Sequence, residues 1–320
     1  MVQKAEHPIG KVIKVTRKEY LVNLDGRIIV CAVRGKLVGA PDGKAWQVKV
    51  GDNVRIRLID DQQGVIEEIL PRKSRLSRTV EGKAYREHII ATNIDQMLIV
   101  MAAREPQFKS GLLDRYLVIA EKNHLKAVVC INKIDLASRE EFNDYATWYP
   151  RLGYPLFFTS AITGEGLDEL KNRLQNNVTV LVGHSGVGKS SLIKALEPGL
   201  DLKVGRISEK TGKGRHTTTY VQLFPLSFGG YLIDTPGIRE LGLWDIYRDE
   251  LRHYFVEFRQ YQDQCQFSDC RHLQEPGCAV KQAVEEGNIF PERYQNYRNI
   301  YLTLRAAPYE RIKPRSHKTG

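Results

Sequence analysis

Residues 181–192 read LVGHSGVGKSSL. Their spacing from Gly183 to Ser190 is G-x-x-x-x-G-K-[ST], a phosphate-binding loop when a strand precedes it and a helix follows. Both conditions hold in the sequence: VTVLV leads in and KSSLIKALE leads out, stopped by Pro198. Glycines let successive backbone N–H groups curl around phosphate oxygens, and the helix N-terminus adds positive potential. Gly183, His184, Ser185, Gly186, Val187, Gly188, Lys189, Ser190 and Ser191 are therefore assigned to the nucleotide, His184 through its backbone alone. Lys189 can reach the β and γ phosphates and is a catalytic candidate. The Ser190 hydroxyl can ligate Mg²⁺.

Downstream, residues 232–237 read LIDTPG. Asp234 ends an apolar strand, where a Mg²⁺-linked carboxylate belongs, and Gly237 can offer its N–H to a γ-phosphate. Alone, D-T-P-G is only a turn; after a phosphate loop it is a strong signal. Between the two lies KTGKGRHTTTY. A loop that senses the nucleotide needs a Thr hydroxyl for Mg²⁺. Thr217, Thr218 and Thr219 all qualify, and Thr218 is favoured.

Upstream, residues 129–136 read VCINKIDL. The Asp135 carboxylate can accept from guanine N1–H and the 2-amino group, a pair of donors that adenine lacks. A site built on such bonds rejects the wrong base by roughly 10⁴-fold. Asn132 would brace the loop, the Lys133 stem would cover the base plane, and Ile134 completes the motif. In TSA at 159–161, Ser160 and Ala161 also follow a strand, and the Ala161 N–H could meet guanine O6. Either motif alone is an ordinary polar turn; together with the phosphate loop and D-T-P-G they indicate GTP.

The order is unusual. Base reader and base support come first, then phosphate loop, Thr loop and D-T-P-G. The cyclic order of a GTPase is kept while the cut point has moved, which is a circular permutation. Termini that lie close together make this tolerable.

Around this unit the chain divides. Residues 1–72 carry five short β-like runs between turn signals, which predicts a small closed barrel of OB type that binds RNA; an SH3-like barrel fits the same periodicity. Residues 73–88 are read as a basic linker that could also touch phosphate backbone, since 71–88 hold six Lys or Arg against two acids and no apolar period. Residues 89–240 alternate strands and helices, the pattern of a mainly parallel sheet covered on both faces. Residues 241–320 are read as a helical zinc-binding domain with a basic tail. There Tyr247, Leu251, Tyr254, Phe258 and Tyr261 fall on one face of a predicted helix. Phe290, Tyr294, Tyr297, Tyr301 and Leu304 do so on a second, and such stripes are read as core. The overall fold class is multidomain α/β.

Cys265, Cys270, His272 and Cys278 offer three thiolates and one imidazole in a polar stretch. That set suits one tetrahedral Zn²⁺ in a closed structural site. Cys31 and Cys130 stand alone in apolar runs and are read as core residues.

The formal net charge is +10, which favours a polyanionic partner such as RNA. No apolar run of about 18 residues is present, so no membrane span is expected. The first residues lack an apolar signal core, which predicts a cytoplasmic protein.

NKID, SGVGKSS, GRHTTT, DTPG, the Cys₃His spacing and the basic helical end together resemble the circularly permuted, ribosome-small-subunit-dependent GTPase A family (RsgA/YjeQ), over nearly the whole chain. The resemblance implies a late-stage assembly GTPase that binds the small ribosomal subunit and its rRNA. It implies hydrolysis stimulated by the subunit, cooperation with other assembly factors, and a monomer. Ile238 follows D-T-P-G where Ras-like proteins have their water-positioning Gln. In the family it resembles, a switch-loop His corresponds to His216, so His216 is the candidate for positioning water. Two other readings fit the same residues: an RNA-binding assembly chaperone that uses GTP only structurally, and a GTPase acting on the large subunit or tRNA.

Overall fold

The computed structural model of the protein describes residues 7–16, 19–33, 47–80, 86–200, 221–234 and 246–306, with the backbone alone for 78–80, 86–88 and 234. Its N-terminal strands are β1 (Ile9–Val15), β2 (Tyr20–Leu24), β3 (Arg27–Val33), β4 (Asn53–Leu58) and β5 (Gln63–Ile69). They pair in the order β1-β2-β3-β5-β4 and close back onto β1, with only β3–β5 parallel. This five-stranded closure is the OB-type barrel expected from the sequence. Alternation fixes its inside. In β4, Val54 and Ile56 are fully buried, while Arg55 and Arg57 face outward onto Glu68 and Glu67 of β5 at 2.9 and 2.7 Å.

The stretch read as a linker carries regular structure. β6 (Arg75–Val80) and β7 (Arg86–Thr92) pair as an antiparallel hairpin, from Arg75 opposite Thr92 to Val80 opposite Arg86. Its polar residues hide it from a periodicity argument. The backbone ladder holds the ribbon, and Leu76 and Ala91, both fully buried, tie its base into the main core.

The second sheet runs β10 (Leu156–Thr159), β9 (Lys126–Asn132), β8 (Gln96–Ala102), β11 (Val178–Val182), β13 (Tyr231–Asp234) and β12 (Gln222–Pro225). All neighbours are parallel except β12, which runs antiparallel to β13. Every residue of β8 is buried, as befits a central strand covered on both faces. Its odd residues, Met97, Ile99 and Met101, pack under α1 (Ser110–Lys122) and α2 (Asn143–Arg151). Its even residues, Leu98, Val100 and Ala102, pack under α3 (Leu167–Leu174) and α4 (Lys189–Leu196).

Barrel and sheet are one continuous structure. Lys14 of β1 pairs with Gln222 of β12, making eleven strands in all. Beside that seam, the wholly buried Asp52 accepts from Arg72 Nε at 2.7 Å, Arg72 Nη2 at 2.8 Å and Thr92 Oγ1 at 2.7 Å. A buried carboxylate needs such partners, because without them its desolvation cost is uncompensated.

The C-terminal unit holds α5 (Arg248–Leu251), α6 (Ala279–Glu285) and α7 (Pro291–Thr303). The first predicted helix of this unit is also corrected. After α5 the chain breaks into 3₁₀ turns at Arg252–Tyr254, Val256–Gln260 and Gln262–Gln264. Phe255 adopts an extended backbone, φ −95° and ψ 97°. That break drives its ring against Phe258 and Tyr297, at centroid distances of 5.3 and 5.1 Å. The predicted stripe still forms core at Tyr247, Leu251 and Phe258, while Tyr254 and Tyr261 are half-buried. The second stripe lies on α7 and its caps, with Phe290, Tyr297, Tyr301 and Leu304 buried. No helix among the described residues is long and apolar enough to cross a membrane.

α7 packs on α1 through buried charge. Arg293 is 1% exposed and donates through Nη1 to Asp114 and through Nε and Nη2 to Glu257. Asp114 also accepts from Tyr149 Oη at 2.9 Å and Asn296 Nδ2 at 2.7 Å.

Candidate nucleotide site and metal cluster

The carboxyl ends of β8, β9, β10, β11 and β13 share one edge of the sheet, and ligands of open α/β sheets bind outside such an edge. The phosphate loop leaves β11 there. Gly183 runs so close to β8 that an added Cβ would lie 2.3 Å from the Val100 carbonyl. Gly188 has φ +90°, and a Cβ on it would lie 2.5 Å from Asn132 Nδ2. Glycine at both positions is thus required by packing as well as by φ. The N–H groups of Gly186, Val187 and Gly188 find no acceptor among the described residues, which leaves a row of unspent backbone donors. Lys189 Nζ is held by the carbonyls of Gly183 at 2.6 Å and His184 at 2.7 Å. His184, Ser185, Ser190 and Ser191 are exposed, and Val187 is buried.

The guanine-reading residues sit beside this loop, although they precede it by about fifty positions in the chain. Asn132 ends β9, fully paired with its neighbours, and is 1% exposed. Its Nδ2 donates to Val187 O at 3.0 Å, and its Oδ1 accepts from Thr159 Oγ1 at 3.1 Å. Lys133 then turns into the left-handed region, φ +60°, and buries Ile134 while Asp135 stays exposed. No side-chain partner binds Asp135 among the described residues, so its oxygens are available to a base. Lys133 Nζ donates to the Glu105 carbonyl, in the segment after β8 whose Pro106 approaches Gly186.

The base-support turn follows β10. Ser160 is wholly buried; its Oγ accepts from the N–H of Ile162 and Thr163, and its carbonyl accepts from Gly164. Ser160 N–H donates to Glu165 O at 3.0 Å. The Ala161 N–H alone has no partner here, among the described residues. The structure thus brings Asn132, Lys133, Ile134, Asp135, Ser160 and Ala161 together with residues 183–191. Asp234 closes β13 opposite Gln222, one strand from the phosphate loop. Its side chain, together with Gly237, His216 and Thr217–Thr219, lies outside the described residues.

Three contributors were not singled out from the sequence. Thr159 orients the Asn132 amide; its position within TSA was a usable signal. The Glu105–Pro106 segment and the Arg139–Glu165 ion pair carry no local motif at all.

In the C-terminal unit the ligand atoms of Cys265, Cys270, His272 and Cys278 all lie within 4.8 Å of one another. His272 Nδ1 faces Cys278 Sγ at 3.4 Å and Cys265 Sγ at 3.6 Å. His272 takes a left-handed backbone, φ +58°, which turns its ring inward. Burial holds that imidazole neutral, down to about 4, and pushes the Cys270 thiol up to about 12. Three sulfurs and a neutral imidazole nitrogen converging in a buried space form a donor set that could hold a metal ion, which would also offset the cost of thiolates there. Cys31 and Cys130 are buried core residues.

Comparisons with known proteins agree with this geometry. The family model described as RsgA GTPase matches residues 69–244. The small ribosomal subunit biogenesis GTPase RsgA of Caldanaerobacter subterraneus subsp. tengcongensis is 41% identical over 304 residues, covering 95% of this chain and 98% of that protein. Its counterpart in Gemmatimonas aurantiaca is 45% identical over 275 residues, covering 85% and 89%. Among solved structures, YjeQ from Thermotoga maritima superposes with a TM-score of 0.76 at 38% identity, covering 92% of this chain and 98% of that one. YloQ, a circularly permuted GTPase, gives 0.72 at 32% identity, covering 98% and 99%.

Proposed function

The chain belongs to the RsgA GTPase family, and from that membership we propose that it acts in small ribosomal subunit biogenesis. In this reading it binds the small subunit and its rRNA late in assembly and hydrolyses GTP to GDP and phosphate when the subunit stimulates it. It works alongside other assembly factors, as a monomer in the cytoplasm. The observation that carries the nucleotide half is the bond from Asn132 to Val187, which supports base reader and phosphate loop acting as one site.

Asp135 selects guanine through N1–H and the 2-amino group, and Ala161 N–H meets O6. Lys189 and the backbone amides of residues 186–188 bind the phosphates. Ser190, Thr218 and Asp234 would hold Mg²⁺, directly or through water, and it would supply charge screening for the phosphates there. His216 orients the attacking water once the subunit docks, a role that Ile238 cannot fill. The Cys₃His set takes one Zn²⁺ as a closed structural site, since four protein ligands leave no open position. The barrel and the basic tail contact rRNA phosphates, consistent with the net charge of +10.

Co-sedimentation with separated ribosomal subunits, in GDP and in a non-hydrolysable GTP analogue, tests the whole reading. Tighter binding to small subunits in the analogue is expected, with GTP turnover rising on their addition. Equal affinity in both nucleotides would leave the switch without a driving force. Normal stimulated turnover by His216→Ala would remove that residue from the mechanism.

A further inference from the structure

The 3₁₀ turn Arg139–Phe142 lies between the guanine reader and α2 and belongs to none of the motifs above. Its buried residue, Phe142, packs edge-on against Phe108 at 5.3 Å and tilted against Phe158 at 6.0 Å. Phe158 immediately precedes Thr159 and the base-support turn. Phe108 lies in the segment that runs from β8 past the phosphate loop. The charged residues of the turn reach to the same two elements. Arg139 donates to Glu165 and lies over the Phe158 ring at 5.4 Å. Glu141 accepts from Arg104 and from the N–H of Ser138.

Glu165 closes the turn in which Ala161 carries the unspent N–H, because its carbonyl holds Ser160 N–H. That turn has internal hydrogen bonds throughout. At its root Thr159 meets Asn132 and Cys130, at its far end the chain enters α3 through the buried Leu167, and Arg139–Glu165 is the side-chain tie between that far end and the base-reading segment. A turn tied to the base reader presents its backbone donor at a set distance from the base; without that tie the exposed loop between β10 and α3 can shift relative to the reader.

We propose that Arg139 is a positioning residue for guanine recognition, holding the Ser160–Glu165 turn so that the Ala161 N–H meets the base oxygen. This rests on the reading that Ala161 meets O6. Arg139 touches no part of the nucleotide itself; it acts through Glu165 and Phe158. Both partners of the ion pair are substantially exposed, so the expected effect is about two- to fivefold rather than a collapse of binding.

The test uses the full chain and calorimetric titration with three probes. GDP has the full base edge, inosine diphosphate lacks the 2-amino group, and 6-thioguanosine diphosphate keeps both donors but replaces O6 by sulfur, a weaker acceptor. Wild type should prefer GDP to the 6-thio analogue. Arg139→Ala should weaken GDP about two- to fivefold and shrink that preference, while leaving the GDP-to-inosine ratio unchanged. Glu165→Ala should do the same, the double variant should add nothing further, and Arg139→Lys should recover part of the preference. A merely structural role would weaken all three probes alike, and that result overturns the proposal. So does an Arg139→Ala variant that keeps the wild-type preference for GDP over its 6-thio analogue. If wild type itself shows no such preference, the O6 reading of Ala161 fails first and takes this inference with it.

Discussion

The side-chain amide of Asn132 donates to the backbone carbonyl of Val187 at 3.0 Å, joining two loops 55 positions apart in the chain. Asn132→Ala leaves that carbonyl without its partner in a buried place and leaves the Thr159 hydroxyl with only the weaker Cys130 sulfur. Each unmet group costs about 1–3 kcal/mol, so a loss of roughly 2 kcal/mol or more is expected, with weakened GDP binding. Thermal unfolding with and without GDP measures both; an unchanged midpoint and affinity would show that the bond carries no weight.

Asp135 is exposed and has no side-chain partner among the described residues, which leaves it able to accept two donors from a base. Asp135→Asn replaces one acceptor oxygen with a donor. GDP affinity should fall by two orders of magnitude or more, and xanthosine diphosphate, whose O2 accepts, should bind better than GDP. Competition titration with the two nucleotides decides. Retained preference for GDP would move base selection elsewhere.

Arg293 serves Asp114 and Glu257 at once, through three nitrogens of one planar group. Arg293→Ala strands two buried carboxylates and should cost about 3–5 kcal/mol. Arg293→Lys should recover little, because one ammonium cannot reproduce the fork. Urea denaturation gives the value. A loss under 1 kcal/mol would mean that water reaches and satisfies the two acids.

The C-terminal unit should be sensitive to chelation and to mild acid. Cys278→Ser, or a strong chelator, should loosen residues 246–306 to proteolysis while GDP binding persists. Acid acts through His272, whose folded value of about 4 lies below its ordinary 6.5. Between those values the unfolded chain binds a proton that the folded chain refuses. This contribution to stability is therefore complete above about 6.5 and is lost as pH drops toward 4; a bound metal would make the same proton compete with the ion. Circular dichroism against pH follows the loss. A flat profile over that window would show His272 to be already protonated or solvated.

How much of this was legible in the sequence depends on how local the cause is. The phosphate loop, NKID, TSA and the cysteine cluster are fixed by residues within a few positions of one another. The barrel strands announce themselves by alternation, as Val54 and Ile56 against Arg55 and Arg57 do. The β6–β7 hairpin did not, because Leu76 is one anchor in a polar ribbon and its pairing is a backbone matter. The break at Phe255 was hidden for the opposite reason: Leu251, Phe255 and Phe258 keep helical spacing while the backbone between them does not. Arg139–Glu165 and Arg293–Asp114 join residues 26 and 179 positions apart, and no pattern along the chain signals either contact.

The chain order places the C-terminal unit directly after D-T-P-G, yet the buried Arg293–Asp114 ion pair fastens it to α1, on the side of the sheet that carries the base reader. Connectivity and load path therefore differ. A pull on α7 is borne by Arg293, Asn296, Asp114 and α1. A partner that grips the arm applies its torque to the guanine side of the domain.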